Sequence, residues 1–241
     1  MIKKQKIFNI NSFLAILFLF ITSLSSLKTL KKVNIEDIHI YGSKLFSEKD
    51  LVNNSSLNLS TPLIFIKTKL IEEELKRNLS IKNVSVTRQI LPFGLKVLIK
   101  TRTPIAYGER VLDGVKILGF IDEEGFFINK KHAEEVNLEK LSIQVLGWNK
   151  NFRKTLSKIL ISQKNNEMEL IKVNLSSNGF LILEEKFLKT ILLGFEPHLI
   201  DTQLQKISDL KNQLKKNNFL YEIDNIDLTD PNKPKIKVFK P

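Results

Sequence analysis

The chain has 241 residues, a formal net charge of +12 and no cysteine, which excludes disulfide frameworks, thiol nucleophiles and cysteine-ligated metal sites. Hydrophobic residues make up 42% and charged residues 27%, a composition typical of a folded chain and not of a disordered one. Only five of the 38 basic residues are arginine, and they are scattered, so the charge predicts a lysine-rich solvated surface and no nucleic-acid partner.

An uncharged run near the N-terminus, residues 7–27, predicts a single transmembrane anchor. At about 1.5 Å per helical residue the run reaches about 30 Å, the thickness of the hydrocarbon core of a bilayer. Lys3, Lys4 and Lys6 precede it and favour a cytoplasmic tail at residues 1–6, with the bulk of the chain outside the plasma membrane. A cleaved signal peptide is the alternative, although no Ala-x-Ala cleavage site follows the run.

Residues 33–103 carry the periodicities of a small β-α-α-β-β unit. Ser47 is expected to cap the first helix and Thr68 the second, and Glu72 to Glu74 are expected near the positive N-terminal end of the second helix. The strands are predicted at 35–41, 84–88 and 95–99.

Residues 104–241 alternate short strand signals with two helical ones. The predicted helices span 152–161 and 197–217, with Pro197 opening the second. The predicted strands are 105–110, 115–121, 126–128, 142–146, 171–175, 180–183, 188–193, 222–228 and 235–239. The whole chain is therefore predicted to be α+β, with a mixed β-sheet domain and flanking helices in its second part.

The sequence offers no constellation that supports catalysis. His39, His132 and His198 lie in unrelated segments with no metal-ligand spacing, and no phosphate-binding loop or nucleophile elbow is present. The carboxylates at 122–124 fit a turn between strands better than an acid–base pair. The sequence predicts a binding protein, with no enzyme activity, cofactor, metal or small-molecule substrate.

Several short motifs occur along the chain, and their order is more specific than any one of them. They are Ile81-Lys-Asn-Val-Ser-Val-Thr-Arg-Gln-Ile-Leu-Pro92, Leu95-Lys-Val-Leu-Ile99, Arg102-Thr-Pro-Ile-Ala106, Phe120-Ile-Asp-Glu-Glu-Gly-Phe126 and Ile226-Asp-Leu228. The combination resembles the bacterial cell-division family FtsQ (DivIB). The β-α-α-β-β unit resembles a POTRA domain, the polypeptide-transport-associated module, and residues 104–241 would then be the FtsQ-type β domain.

The resemblance implies a non-enzymatic scaffold in the bacterial inner membrane, enriched at the division septum. Its implied partners are single-pass division proteins of the FtsB and FtsL kind, and its implied role is to help control septal peptidoglycan synthesis. The alternative is a POTRA-type chaperone or receptor module of a protein-translocation system. That function would require repeated domains of this kind or a following pore domain, whereas the region after Pro104 is broken by two predicted helices.

One predicted site is a corner between the two domains, formed by Arg102, Pro104, Ala106, Asp122 and Gly125. The fixed φ of proline and its effect on the preceding residue suit it to set the angle between domains. The glycine permits the positive φ that a tight turn between strands needs.

The second predicted site is the C-terminal pair of strands, with Ile226, Leu228, Ile236, Val238 and Phe239 as partner-binding residues. The closing strand is short and alternating and is expected at a sheet edge, where a partner segment could pair with its backbone. At least one of the three apolar side chains at 236, 238 and 239 is expected to pack in the core.

Overall fold

A computed structural model describes residues 10–133, 141–165, 168–216 and 222–239. The chain divides into two compact units, Met1–Thr101 and Arg102–Pro241. The fold is α+β with a mixed sheet, as predicted. The exact domain bounds proposed from the sequence, 33–103 and 104–241, stay a prediction.

The first described element is helix α1, Ile10–Thr29. Among the residues that the structure describes, no helix has both the length and the apolar character needed to cross a membrane. The predicted anchor, residues 7–27, begins in the part of the chain that lies outside this description.

The rest of the first unit has the predicted β-α-α-β-β order. Its elements are β1 (Ile38–Tyr41), α2 (Glu48–Asn53), α3 (Thr68–Asn78), β2 (Asn83–Gln89) and β3 (Gly94–Lys100). Strand β3 lies in the middle, parallel to β1 and antiparallel to β2. Alternate side chains of the strands pack on the helices, so that Val84, Val86 and Val97 are buried with Ile71 and Leu75.

The helix caps match the sequence prediction only in part. Ser47 caps α2 as predicted, because its hydroxyl accepts from the Asp50 N–H while the Asp50 carboxylate accepts from the Ser47 N–H. The prediction for α3 was wrong by one position, since Lys67 occupies the N-cap and makes no side-chain cap bond.

The three glutamates of α3 do not lie at the N-terminal end of the helix, where they were predicted. They lie beyond the first turn of the helix, where the effect of the helix dipole has largely decayed. Glu72 instead accepts a hydrogen bond from the Val86 N–H at 2.7 Å, and Glu74 accepts one from the Ser56 N–H at 2.6 Å. These carboxylates therefore tie the helix to β2 and to the loop that precedes the helix.

In the described residues, the second unit is built on a mixed sheet of nine strands. Its strands are β4 (Ala106–Leu112), β5 (Val115–Ile121), β6 (Phe127–Asn129), β7 (Gln144–Leu146), β8 (Leu170–Leu175), β9 (Leu181–Glu185), β10 (Lys189–Gly194), β11 (Ile223–Asp227) and β12 (Lys235–Val238), and its helices are α4 (Arg153–Asn165) and α5 (Ile200–Lys216). The spatial order is β12-β11-β10-β9-β8-β7-β4-β5-β6. The pairs β4–β7, β7–β8 and β10–β11 are parallel, and the other pairs are antiparallel.

Two buried polar contacts hold α5 on the sheet. Gln203 donates to the Leu193 carbonyl at 2.7 Å and to the Leu228 carbonyl at 2.8 Å, which joins the helix to the ends of β10 and β11. Lys211 forms an ion pair with Glu185 at 2.6 Å, and both side chains are almost completely buried. Helix α5 thus fixes the part of the sheet that carries its last two strands.

Candidate functional site

The last strand of the chain, β12, lies at one edge of the nine-stranded sheet, as predicted from the sequence. It pairs antiparallel with β11, with Ile226 opposite Ile236 and Asn225 opposite Lys237. Its other side has no strand against it among the described residues. A sheet edge of this kind presents unpaired backbone donors and acceptors.

The direction of the β12 backbone groups follows from one hydrogen bond. The Phe239 N–H donates to the Glu222 carbonyl at 2.9 Å, so residue 239 points its N–H toward β11. Because these groups alternate along an antiparallel strand, residues 235 and 237 also face β11. Ile236 and Val238 therefore direct their N–H and C=O groups away from the sheet, toward the open edge.

The side chains of β12 divide into an apolar face and a basic face. Ile236 lies opposite Ile226, and Val238 lies opposite Ile223, so these two side chains extend the face that β11 buries in the core. Ile236 is nonetheless 38% exposed, because no further strand in the described part of the chain covers it. Lys235 and Lys237 alternate with them and are exposed.

The turn that leads into β12 is ordered by short-range hydrogen bonds. The Asp227 carboxylate accepts from the hydroxyl of Thr229 at 2.6 Å and from its N–H at 3.0 Å, and these bonds lower the pKa of Asp227. The Asp230 carboxylate accepts from the Asn232 N–H at 3.0 Å. The turn therefore presents β12 at the edge in a defined register.

The structure separates the five residues predicted to bind a partner. Phe239 is 54% exposed, Ile236 is exposed and Val238 is partly buried, so all three are accessible at the edge. Ile226 and Leu228 are completely buried, and contact of these residues with a partner stays a prediction. The physical reason for their burial is that β11 lies between β10 and β12, so its apolar residues fill the core. None of Ile236, Val238 and Phe239 belongs to the buried core, contrary to the expectation from the sequence, because β12 pairs with one strand alone among the described residues.

The five corner residues come together at the start of the second unit. Ala106 pairs with Ile121 at the beginning of β4, and the buried Pro104 precedes it. The Arg102 guanidinium forms an ion pair with Asp122 at 2.5 Å and also contacts Glu124 at 3.1 Å. This ion pair was not predicted from the sequence, because nothing in local periodicity joins two residues that are 20 positions apart.

Asp122 and Gly125 form a tight turn around which this corner is built. The Asp122 carboxylate accepts from the Phe126 N–H at 2.8 Å, and the Gly125 N–H donates to the Asp122 carbonyl at 2.9 Å. Gly125 has φ +70°, and a Cβ added there would lie 2.4 Å from the Arg153 carbonyl oxygen. The guanidinium of Arg102 stacks 3.9 Å from the centre of the Phe126 ring. Whether this corner sets the angle between the domains stays a prediction.

Comparison with known proteins agrees with this architecture. The family model of the FtsQ-type POTRA domain matches residues 33–102. The chain is also 27% identical over 109 residues to the cell division protein DivIB of Clostridium acetobutylicum, a match that spans 45% of this chain and 42% of that relative. The first unit thus contains a POTRA domain of the FtsQ type. Both matches are similarities to cell-division proteins of the FtsQ/DivIB family, and the second match spans less than half of the length of the DivIB relative.

Proposed function

We propose that this protein is a non-enzymatic scaffold of the bacterial division machinery that captures single-pass partners of the FtsB and FtsL kind on the open edge of β12. Such partners would connect it to the control of septal peptidoglycan synthesis. The observation that carries the proposal is the edge itself, where Ile236 and Val238 combine outward backbone groups with an uncovered apolar surface. The FtsQ-type family match favours this function over a module of protein translocation.

The chemistry of the edge favours a particular kind of partner strand. An added strand would satisfy the outward donors and acceptors and would cover Ile236 and Val238 with its own apolar side chains. Lys235 and Lys237, on the opposite face, favour acidic residues at the alternate positions of that strand. The proposed partner segment is therefore a short extended stretch that alternates apolar and acidic residues.

Removal of residues 232–241 tests partner capture. The protein without residues 232–241 is expected to copurify with less FtsB- and FtsL-like protein, because the edge strand is gone. The POTRA domain is expected to stay folded, since it has its own core. A matched control replaces Lys154 and Lys164, two exposed residues of α4, with glutamine in the intact chain and leaves β12 unchanged. Undiminished copurification with the truncated protein would contradict the proposal.

We also propose that the apolar run at residues 7–27, which begins before the described part of α1, anchors the protein in the plasma membrane with its N-terminus in the cytoplasm. The large apolar side chains between residues 13 and 21 are each between 43% and 67% exposed, so the helix presents apolar surface on all sides. An uncleaved chain retained in the membrane after alkaline carbonate extraction is the expected result. A shortened chain released by the same treatment would instead support the signal-peptide alternative.

A further inference from the structure

Three segments of the POTRA unit meet where the chain enters it. The Leu63 N–H donates to the Lys31 carbonyl at 3.2 Å, and the Lys31 ammonium lies 5.0 Å from the centre of the Phe93 ring. The Arg88 guanidinium donates to the Ile66 carbonyl at 2.5 Å, which joins the end of β2 to the second segment. We call the surface formed by residues 30–32, 62–67 and 88–93 the Lys31 face.

The Lys31 face carries large apolar side chains that the domain core does not use. Leu91 is 78% exposed at the tip of the β2–β3 turn, and Phe65 is 65% exposed in the neighbouring segment. Leu30 and Ile64 are also exposed. These side chains lie on three segments that the contacts above join, and a group of exposed apolar side chains marks a contact surface in a folded domain.

The charges on the same face are all positive. Its three segments contain Lys31, Lys32, Lys67 and Arg88 and no acidic residue, and all four basic side chains are exposed. The nearby carboxylate of Asp37 accepts a hydrogen bond from the Asn34 N–H at 2.8 Å. Protruding apolar side chains surrounded by basic ones are typical of proteins that lie on an anionic lipid surface.

The chain connection places this face close to the end of α1. The helix ends at Thr29, and Val33 is already completely buried in the POTRA core. Four residues span at most about 14 Å even when fully extended. If α1 is in the membrane, its C-terminal end holds residues 30–32 of the Lys31 face within this distance of the bilayer interface.

We propose that the Lys31 face docks on the anionic surface of the membrane into which α1 is inserted. This inference rests on the membrane anchoring proposed above. Leu91 and Phe65 enter the headgroup region, while the lysines and Arg88 contact lipid phosphates. Docking removes freedom of the first domain relative to the bilayer and so defines the height from which the rest of the chain extends.

The absence of cysteine allows a clean labelling experiment. The full-length variants Leu91→Cys and Leu98→Cys are labelled with an environment-sensitive dye and reconstituted into vesicles of phosphatidylcholine, with or without phosphatidylglycerol. Leu98 is a matched control because it is an exposed leucine of the same domain, four residues along β3 from Gly94, about 13 Å at the rise of a strand. A lipid-borne quencher is expected to quench the dye at residue 91 in the anionic vesicles and to leave the dye at residue 98 bright.

A charge variant separates lipid electrostatics from apolar contact. Lys31→Gln with Lys32→Gln, made in the Leu91→Cys background, is expected to lower the ratio of docked to free protein about fivefold for each lysine. The control pair, Lys44→Gln with Lys49→Gln, removes the same charge from exposed positions elsewhere in the domain and is expected to change little.

The outcomes distinguish this inference from the anchor proposal. Equal quenching at 91 and 98, or quenching at 91 that ignores both phosphatidylglycerol and the lysines, would overturn docking on an anionic surface. A dye at 91 that stays bright in vesicles but is shielded in intact cells would assign the face to a protein partner and would also overturn it. Carbonate extraction of the same vesicles reports the anchor separately, so a retained chain with a bright dye at 91 refutes only the docking.

Discussion

A proline at position 236 tests the outward backbone donor of β12 without removing a hydrogen bond within the sheet. The Ile236 N–H points away from β11, so Ile236→Pro removes a donor that a partner strand needs and leaves the ladder to β11 intact. Lys237→Pro removes instead an N–H that faces β11. The two variants therefore differ in which side of the strand loses its hydrogen bond.

The expected loss of affinity can be worked from that single donor. A partner carbonyl left without its hydrogen bond in a buried ladder costs about 1–3 kcal/mol, which corresponds to roughly a 5- to 150-fold increase in Kd. Ile236→Ala measures the separate contribution of the side chain. Because Ile236 is already partly exposed, the free energy of unfolding of Ile236→Pro is expected to stay close to that of Ile236→Ala.

The assay pairs copurification of the proposed FtsB- and FtsL-like partners with denaturant unfolding of each variant. Ile236→Pro is expected to lose more partner than Ile236→Ala at equal stability, whereas Lys237→Pro is expected to unfold at lower denaturant. Equal copurification of partner by Ile236→Pro and Ile236→Ala would refute strand addition at this edge. It would mean that the partner does not bind the outward N–H of residue 236.

Three further predictions concern the stability of the second unit. Gly125→Ala is expected to destabilise the second unit by at least about 1–2 kcal/mol in denaturant unfolding, since φ is +70° and the new Cβ would meet the Arg153 carbonyl. An unchanged midpoint would contradict the turn geometry. The control is Gly114→Ala, where φ is also positive but no atom lies within 4 Å of the added Cβ. Lys211→Met is expected to lower the free energy of unfolding by about 3–5 kcal/mol, because it leaves Glu185 charged and buried. Glu185→Gln combined with Lys211→Met is expected to recover part of that loss. A Lys211→Met variant as stable as the parent would show that the ion pair is not buried. Burial opposes ionisation of Glu185, but the hydrogen bonds that its carboxylate accepts from Lys211 and from the Leu188 and Glu169 N–H groups outweigh burial and lower the pKa of Glu185. The ionised carboxylate therefore stabilises the fold fully above the unfolded pKa of about 4.3. This stabilisation is lost as the pH falls through the lower folded pKa. Unfolding measured from pH 7 downward should therefore show a smaller acid loss in the double variant than in the parent, and parallel curves would contradict the assignment.

Local periodicity predicted most of the elements of both units. The alternation of Val84 with Val86 and of Leu95 with Val97 and Ile99 describes strands that bury one face against helices, which is the pattern that period-two reasoning detects. The turn at Gly125 was predicted in the same way, since its positive φ is one that glycine adopts without strain.

Long-range features could not be read in the same way. The alternation of Ile226 and Leu228 is compatible with either a central or an edge strand, and only the parallel pairing of β10 with β11 decides that both are buried. The ion pairs of Arg102 with Asp122 and of Lys211 with Glu185 join residues 20 and 26 positions apart. Their side chains are charged and look like surface residues in the sequence, so no composition or spacing rule marks them as buried.

Site-specific photocrosslinking in growing cells tests the central claim most directly. A photoreactive phenylalanine analogue at Phe239 places the crosslinker at the end of β12, and the same analogue at Phe195, which has the same exposed fraction of 54%, is the matched control. We expect the analogue at 239 to crosslink a single-pass division protein and the analogue at 195 not to do so. Crosslinking of that protein at 195 and not at 239 would contradict capture at the β12 edge.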